Sequence, residues 1–213
     1  LGAMTPDNHP EALTRALSWD NCALLTNSLK PYACCRHTHA ADYCAQLLRG
    51  EHRLEPEHIT RIVDHTYQVA VNTVDNPEPS TPYGYKFSGQ YCTAAMLVYG
   101  HLGESAFTPE ATSDPRVRRL MDKITPELEA SYQADRNRWA PRLEVTLEDG
   151  RVLTRQVEYP YGDFNNPFTW AYEHEKFHTL ADGVLGPDRV AALVERLPHL
   201  EELDDINRLF EGL

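Results

Sequence analysis

The apolar residues of this chain repeat with helical spacing in most segments and with strand spacing in a few. Apolar side chains three and four positions apart place one face of a helix against a core. This spacing predicts helices over residues 10–19, 39–49, 90–101, 114–123, 169–184, 187–197 and 203–210. Thr38 is the predicted N-cap of the second helix, and Ser88 is expected to open the third.

Strict alternation of apolar and polar residues predicts strands elsewhere. The strongest signal is a hairpin, in which residues 142–147 and 152–159 alternate on either side of an Asp-Gly turn. Strands are also predicted over residues 22–30, 58–74 and 124–133, the last of them beside the hairpin. Residues 76–85 are rich in Pro and Gly and are predicted to form a loop.

These segments mix strands and helices without the regular alternation of βαβ units. Such an order is typical of a layered α+β fold with a mixed or antiparallel sheet, here with a C-terminal β-hairpin and flanking helices. The expected organisation is a cleaved-tag remnant over residues 1–3, a helical lead-in over 4–20, an α+β domain over 21–163, and C-terminal helices over 164–213 that pack on that domain or on a partner.

Charge and composition narrow the possible functions. The 213-residue chain has 32 acidic and 20 basic residues, a formal net charge of −12, which argues against general binding of nucleic acid. A small anionic substrate needs only a local cationic pocket and stays possible. No apolar run approaches the length of a membrane span and no signal peptide is visible, so we expect a cytoplasmic protein without a membrane partner, whose cysteines are reduced thiols.

The segment KPYACCRHTH, residues 30–39, concentrates two permanent cations, two thiols and two imidazoles before a predicted helix. Lys30 and Arg36 could bind a carboxylate there, because the helix N-terminus adds backbone donors and partial positive charge. Other interpretations stay open: a polar loop before a capped helix, a zinc site using His37 and His39 with Cys34 and Cys35, or a reactive cysteine whose pKa the two cations lower.

A second candidate segment is KFSGQY, which ends at Tyr91. A tyrosine at a helix start, with Lys86 and Ser88 nearby, could donate a proton or hold an oxyanion. The alternative is a buried tyrosine whose hydroxyl is satisfied within the fold.

A third segment, HEKFH over residues 174–178, matches the H-E-x-x-H spacing of zinc peptidases, with His174 and His178 as metal ligands. Lys176 within the segment and the lack of a convincing third ligand argue against that interpretation. An amphipathic helix that packs its apolar face on a core explains the same residues.

Three segments, in chain order, resemble the MmgE/PrpD family. KPYACCRHTHA over residues 30–40 resembles the lysine-containing motif that opens the family's second domain. YKFSGQYCTAAMLVYG over residues 85–100 resembles its Phe-Ser-x-x-Tyr segment and the helix after it. Residues 143–167 resemble its hairpin and Gly-Asp-x-x-Asn-Pro loop; their sequence is LEVTLEDGRVLTRQVEYPYGDFNNP. HEKFH falls where the family has an ordinary charged helix, which further weakens the zinc interpretation.

The resemblance implies a lid domain of dehydratases, decarboxylases and epimerases that act on small polycarboxylates without a metal or organic cofactor. Lys30 is similar to a lid lysine that meets a substrate carboxylate, and Tyr91 to a lid tyrosine near the reacting carbon; both are candidate catalytic residues. Arg36, His37 and Ser88 are weaker, substrate-binding candidates. The chain departs from the pattern at Cys35, where some relatives have histidine, and at Gly89, where a bulkier residue is expected.

The family's helical domain, which carries the principal acid–base residues, has no counterpart in this sequence. The resemblance therefore implies a lyase, most simply a hydro-lyase, or an isomerase that is inactive alone and needs a helical domain or subunit as its partner. The lid is expected to expose an apolar surface for that partner. A non-catalytic binding or regulatory subunit with the lid fold is the alternative.

Overall fold

The computed structural model describes residue 18 and residues 22–133 and 141–211. Apart from residue 18, the predicted helix over residues 10–19 lies outside this part of the chain. The chain divides into two compact units, one ending at Pro167 and the other starting at Phe168.

The helices of the first unit are α1 (His39–His52), α2 (Gln68–Val74), α3 (Pro82–Tyr85), α4 (Gly89–Tyr99), α5 (Pro109–Thr112) and α6 (Pro115–Met121). Its strands are β1 (Ile59–Thr66), β2 (Ile124–Leu128), β3 (Arg142–Leu147) and β4 (Val152–Gln156).

The four strands form one mixed sheet in the order β2-β1-β3-β4. β1 pairs parallel with β2 and antiparallel with β3, and β3 pairs antiparallel with β4. Helices α1 and α4 pack against each other and on the sheet, and every residue from Tyr91 to Leu97 in α4 is buried. The predicted α+β class with a mixed sheet is therefore confirmed.

The predicted hairpin is present. Leu143, Val145 and Leu147 are buried and alternate with less buried neighbours, and Gly150 in the turn has a φ of 84°, which favours glycine. β4 ends at Gln156 rather than residue 159, because its partner Arg142 is the first residue of β3.

Two strand predictions need correction. The strand at residues 124–128 does not lie beside the hairpin; it pairs with β1, with Ile62 opposite Ile124. Within residues 58–74, the strand ends at Thr66 and the rest is helix α2. The β-branched residues of that stretch suggested a strand, but Ala70 and Val74, four positions apart, are both buried on one helix face.

Three further segments differ from the sequence-based expectation. Residues 22–30 contain no strand, and a 3-10 turn, Ala23–Thr26, leaves Leu24 and Leu25 exposed. The predicted loop at residues 76–85 includes α3, which the Thr81 hydroxyl caps by accepting from the Gly84 amide. The predicted helix at 203–210 is a 3-10 helix, Ile206–Phe210.

The second unit contains α7 (Trp170–Leu185) and α8 (Pro187–Arg196), close to their predicted ranges. Thr169 caps α7 by accepting from the Tyr172 amide. None of the helices within the described residues combines the length and apolar character that a bilayer span requires.

Asp64 occupies an unusual place in β1, the central strand with neighbours on both sides. Its Oδ1 is shielded from solvent and has no hydrogen-bond partner. Burial raises the pKa of this carboxyl from 3.8 to about 7. The folded state therefore binds a proton that the unfolded chain releases, and stability falls as the pH rises between those two values.

We predict that Asp64→Asn stabilises the chain above neutral pH, by up to about 4 kcal/mol, because the amide cannot ionise. Near pH 4 the carboxyl is protonated in the folded chain and already partly protonated in the unfolded chain, so the variant should gain little. Urea unfolding of both proteins at about pH 8 and pH 4 measures the difference. A gain that is the same at both pH values would show that Asp64 does not titrate as described.

Candidate active site

The first two candidate segments are neighbours in the structure. The Cys35 amide donates to the Lys86 carbonyl at 2.8 Å, so the turn before α1 lies against the segment that precedes α4. A 3-10 turn, Arg36–Thr38, leads directly into α1. The prediction that the Thr38 side chain caps α1 is therefore wrong. Thr38 has helical backbone angles, and its hydroxyl donates to the Cys35 carbonyl at 2.9 Å instead.

Lys30 stands on the solvent side of this turn. Its side chain is exposed, and its Nζ donates to the Cys34 carbonyl at 3.2 Å. The Cys35 thiol lies within reach of the Lys30 charge and of the His37 amide. Burial is the largest influence on that thiol and raises its pKa, while Lys30 and the His37 amide oppose the shift. Cys35 is therefore a buried, neutral thiol near the Lys30 cation.

Arg36 is held by a buried carboxylate from the far end of the first unit. Its Nη2 lies 3.4 Å from Asp163 Oδ2, and its Nη1 donates to the Tyr161 carbonyl at 3.4 Å. The same Asp163 oxygen accepts from the Ser28 hydroxyl at 3.0 Å. Burial lowers the pKa of Arg36, and Asp163 opposes that shift. The charge of Arg36 is thus already balanced within the fold, unlike that of a cation open to substrate.

His37 contacts a residue that the sequence did not single out. Its Nδ1 lies 2.8 Å from the Tyr67 hydroxyl, and the two rings are 5.8 Å apart. Burial lowers the pKa of His37 below 6.5, so its imidazole is neutral at neutral pH. A neutral imidazole can accept a proton, which a guanidinium or an ammonium group cannot do.

Ser88 and Tyr91 both serve the internal structure of α4. Ser88 is fully buried; its hydroxyl accepts from the Tyr91 amide at 3.0 Å and donates to the Asn76 carbonyl at 2.6 Å, the N-cap pattern predicted for the helix start. The Tyr91 side chain is also fully buried, and its hydroxyl donates to the Ala106 carbonyl. Burial raises the pKa of Tyr91 above its ordinary value.

Lys30, Arg36 and His37 therefore lie on the segment that leads into α1, where Lys30 is exposed and the other two are partly buried. Ser88 and Tyr91 are fully buried in the core. A proton-donor role for Tyr91 stays a prediction. In this conformation it would require the Ala106 carbonyl to release the hydroxyl.

The thiols of Cys34 and Cys92 meet the Asp42 carboxyl in the core. Their ligand atoms lie within 4.8 Å of one another, and all three residues are buried. Hydrogen bonds already link this group: Cys34 Sγ is 3.2 Å from the Thr38 hydroxyl, and Thr93 donates to Asp42 at 3.4 Å. Burial, followed by the Cys34 charge, raises the pKa of Asp42. Cys34 and Thr93 donate to the two oxygens of this carboxyl, so the group is already part of a hydrogen-bonded network within the fold.

The H-E-x-x-H segment gains no third ligand from the fold. Within residues 22–133 and 141–211, His174 and His178 belong to no group of three potential metal-ligating side chains. His178 Nδ1 lies 3.0 Å from Asp182 Oδ1, and the His174 ring lies 6.1 Å from that of Trp170. The geometry fits an ordinary amphipathic helix.

Asp163→Ala tests the carboxylate that holds Arg36. Because the substitution leaves a half-buried guanidinium unpaired, we expect the free energy of unfolding to fall by about 2–4 kcal/mol. Asp149→Ala is the matched control, since it removes an exposed carboxylate that also pairs with an arginine, Arg151; its loss should be much smaller. Equal losses in urea unfolding would contradict the role of Asp163.

Tyr91→Phe separates a packing role from a catalytic one. Because the Ala106 carbonyl loses its donor inside the core, we expect a loss of stability of about 1–3 kcal/mol in urea unfolding. Unchanged stability, combined with a fall in turnover of about 10²-fold or more in an assembled enzyme, would instead support the proton-donor role.

Comparison with known proteins identifies the family. The model of the MmgE/PrpD C-terminal domain matches residues 32–199. The cis-aconitate decarboxylase-like protein oryM of Aspergillus oryzae is 26% identical over 220 residues, which cover 96% of this chain and 44% of that protein. The mitochondrial 2-methylcitrate dehydratase of Yarrowia lipolytica is 30% identical over 136 residues, covering 59% and 26% respectively. The chain spans less than half the length of these relatives, and it belongs to the MmgE/PrpD family through its C-terminal domain.

Proposed function

We propose that this chain forms the lid of a lyase active site for a small polycarboxylate, dehydration being the first reaction to test, and that a helical domain supplies the principal acid–base residues. One observation carries the proposal: the segment that leads into α1 carries the exposed Lys30 cation and, seven positions later, the His37 imidazole, which burial keeps neutral. A cation can bind a substrate carboxylate while a neutral imidazole exchanges a proton at the adjacent carbon.

The net negative charge of the chain restricts where a polycarboxylate can bind. With a formal net charge of −12, most of the surface repels a polycarboxylate. Arg36 is partly buried and pairs with Asp163. Lys30 is exposed, and we assign the binding of a substrate carboxylate to it. The relatives support the substrate class, since one is similar to a cis-aconitate decarboxylase and the other is a 2-methylcitrate dehydratase.

We propose a helical domain as the partner because the chain matches only the C-terminal part of its relatives. The chain corresponds to 44% and 26% of the two relatives, and the family match is to a C-terminal domain. Leu24 and Leu25, just before the turn, are 80% and 71% exposed, and Leu29 is 49% exposed. We assign these leucines to the docking surface for the helical domain, because burial of exposed apolar area stabilises such an interface.

Lys30→Ala in the assembled enzyme tests the proposal. With cis-aconitate and 2-methylcitrate as trial substrates, we expect kcat/KM to fall by about 10²-fold, because the substrate carboxylate loses its counter-charge. Arg119→Ala is the control, since it removes an exposed cation from α6 and leaves the turn intact. Size-exclusion chromatography should show both variants in complex with the helical domain.

A non-catalytic binding or regulatory subunit is the second candidate. It is favoured by the internal use of Arg36 and Tyr91, which pair with Asp163 and Ala106 rather than facing solvent. In that case Lys30→Ala would leave turnover of the assembled enzyme unchanged, and the lid-catalysis proposal would be wrong.

A further inference from the structure

Two cysteine thiols from different elements lie close together in the core of the first unit. Cys34 belongs to the segment that leads into α1, and Cys92 belongs to α4. Their Sγ atoms lie within 4.8 Å of each other, and both thiols are free. A disulfide holds its sulfur atoms about 2 Å apart, so the two side chains have at most about 3 Å to close.

The packing favours this pair over the cysteine that follows Cys34 in the chain. Adjacent cysteines are poorly suited to an unstrained disulfide with each other. Cys34 and Cys92 also share the main apolar core, whereas Cys35 packs with Ala70 and Val74 in a separate cluster. A disulfide of Cys34 is therefore directed to Cys92.

Asp42 is placed to accept the proton of one of the two thiols. Cys34 Sγ donates to Asp42 Oδ2 at 3.7 Å and lies 3.2 Å from the Thr38 hydroxyl. Although burial opposes ionisation, the contacts with Cys92 and His39 lower the pKa of Cys34. Burial raises the pKa of Cys92, so this thiol stays protonated. Cys34 is thus the sulfur that reacts first with an oxidant, because the thiolate is the nucleophilic form.

We infer that Cys34 and Cys92 form an oxidative modification site, at which hydrogen peroxide converts the two thiols to a disulfide. The Cys34 sulfur attacks one peroxide oxygen and the O–O bond breaks, which gives a sulfenic acid and one water molecule. Asp42 receives the Cys34 proton and returns it to the departing oxygen. The Cys92 sulfur then displaces the sulfenic oxygen as a second water, and the S–S bond forms. One peroxide is reduced to two waters while the two thiols are oxidised.

This disulfide joins the segment of the candidate active site to α4. The Cys34 carbonyl accepts from Lys30 Nζ at 3.2 Å, and the next amide, that of Cys35, donates to the Lys86 carbonyl. The cross-link therefore forms one residue from an existing contact between the two segments and next to the group that holds the Lys30 cation. The inference rests on the geometry of the thiols and is independent of the proposed function.

Peptide mapping by mass spectrometry tests the inference on the folded protein after treatment with hydrogen peroxide. Remaining free thiols are alkylated with iodoacetamide, and the digest is analysed without reductant. We expect two peptides joined through Cys34 and Cys92, which dithiothreitol separates. Cys44 is the internal control, because it is as buried as Cys92 but contacts the Pro141 carbonyl, and it should stay a free thiol.

Substitutions of the two adjacent cysteines assign the bond. Cys35→Ser should keep the cross-link, whereas Cys34→Ser should abolish it, and circular dichroism shows whether each variant is folded. Three results on the wild-type protein would overturn the inference without reference to any variant. They are no disulfide between Cys34 and Cys92, a disulfide that uses Cys35 in place of Cys34, and oxidation of Cys44 to the same extent, which would indicate unfolding rather than proximity.

Discussion

The Asp163 carboxylate fixes the turn that carries the candidate site. It is buried, with 7% of its surface exposed, and a buried charge is stable only with a counter-charge and full hydrogen bonding. Arg36 and Ser28 from the start of the unit and Asn165 from its own loop supply these contacts. The bond from the Leu29 amide to the Gly162 carbonyl, 2.8 Å long, reinforces the same junction. The residues around Lys30 thus owe their position to a loop more than 120 positions later in the sequence.

This arrangement divides the roles of the charged residues near the turn. Arg36 is a structural cation, because its charge is balanced inside the fold. Lys30, which is exposed six positions before Arg36, is the residue we propose for an anionic substrate. The contact between His37 and Tyr67, 2.8 Å long, orients an imidazole that burial keeps neutral. Lys30 thus supplies a local positive charge and His37 a neutral imidazole, in a chain whose formal net charge is −12.

Local patterns predicted those parts of the fold that depend on local chemistry. The hairpin followed from strict alternation and an Asp-Gly turn, and α1 and α4 followed from helical spacing. The partner of β2 could not be predicted, because alternation along a strand does not specify which strand lies next to it. The helix after Thr66 was missed because its β-branched residues have strand propensity, which the burial of Ala70 and Val74 overrides.

The candidate site was predictable only in part for the same reason. The concentration of cations and imidazoles in residues 30–39 was visible in the sequence, and Arg36 and His37 lie on one 3-10 turn. Asp163 and Tyr67 were not identified, since they meet Arg36 and His37 through tertiary contacts alone. Asp64 was equally hidden, because a single acid in an apolar strand resembles a solvent-facing position until the sheet and helices enclose it.

The central claim is that this domain completes an active site whose other half is a helical MmgE/PrpD domain. Native mass spectrometry of the protein purified from its own source tests it most directly. We expect to recover the chain either in a longer polypeptide that contains the helical domain or in a complex with a helical subunit in near-equal amount. Recovery of the chain by itself, with full turnover of a polycarboxylate, would contradict it.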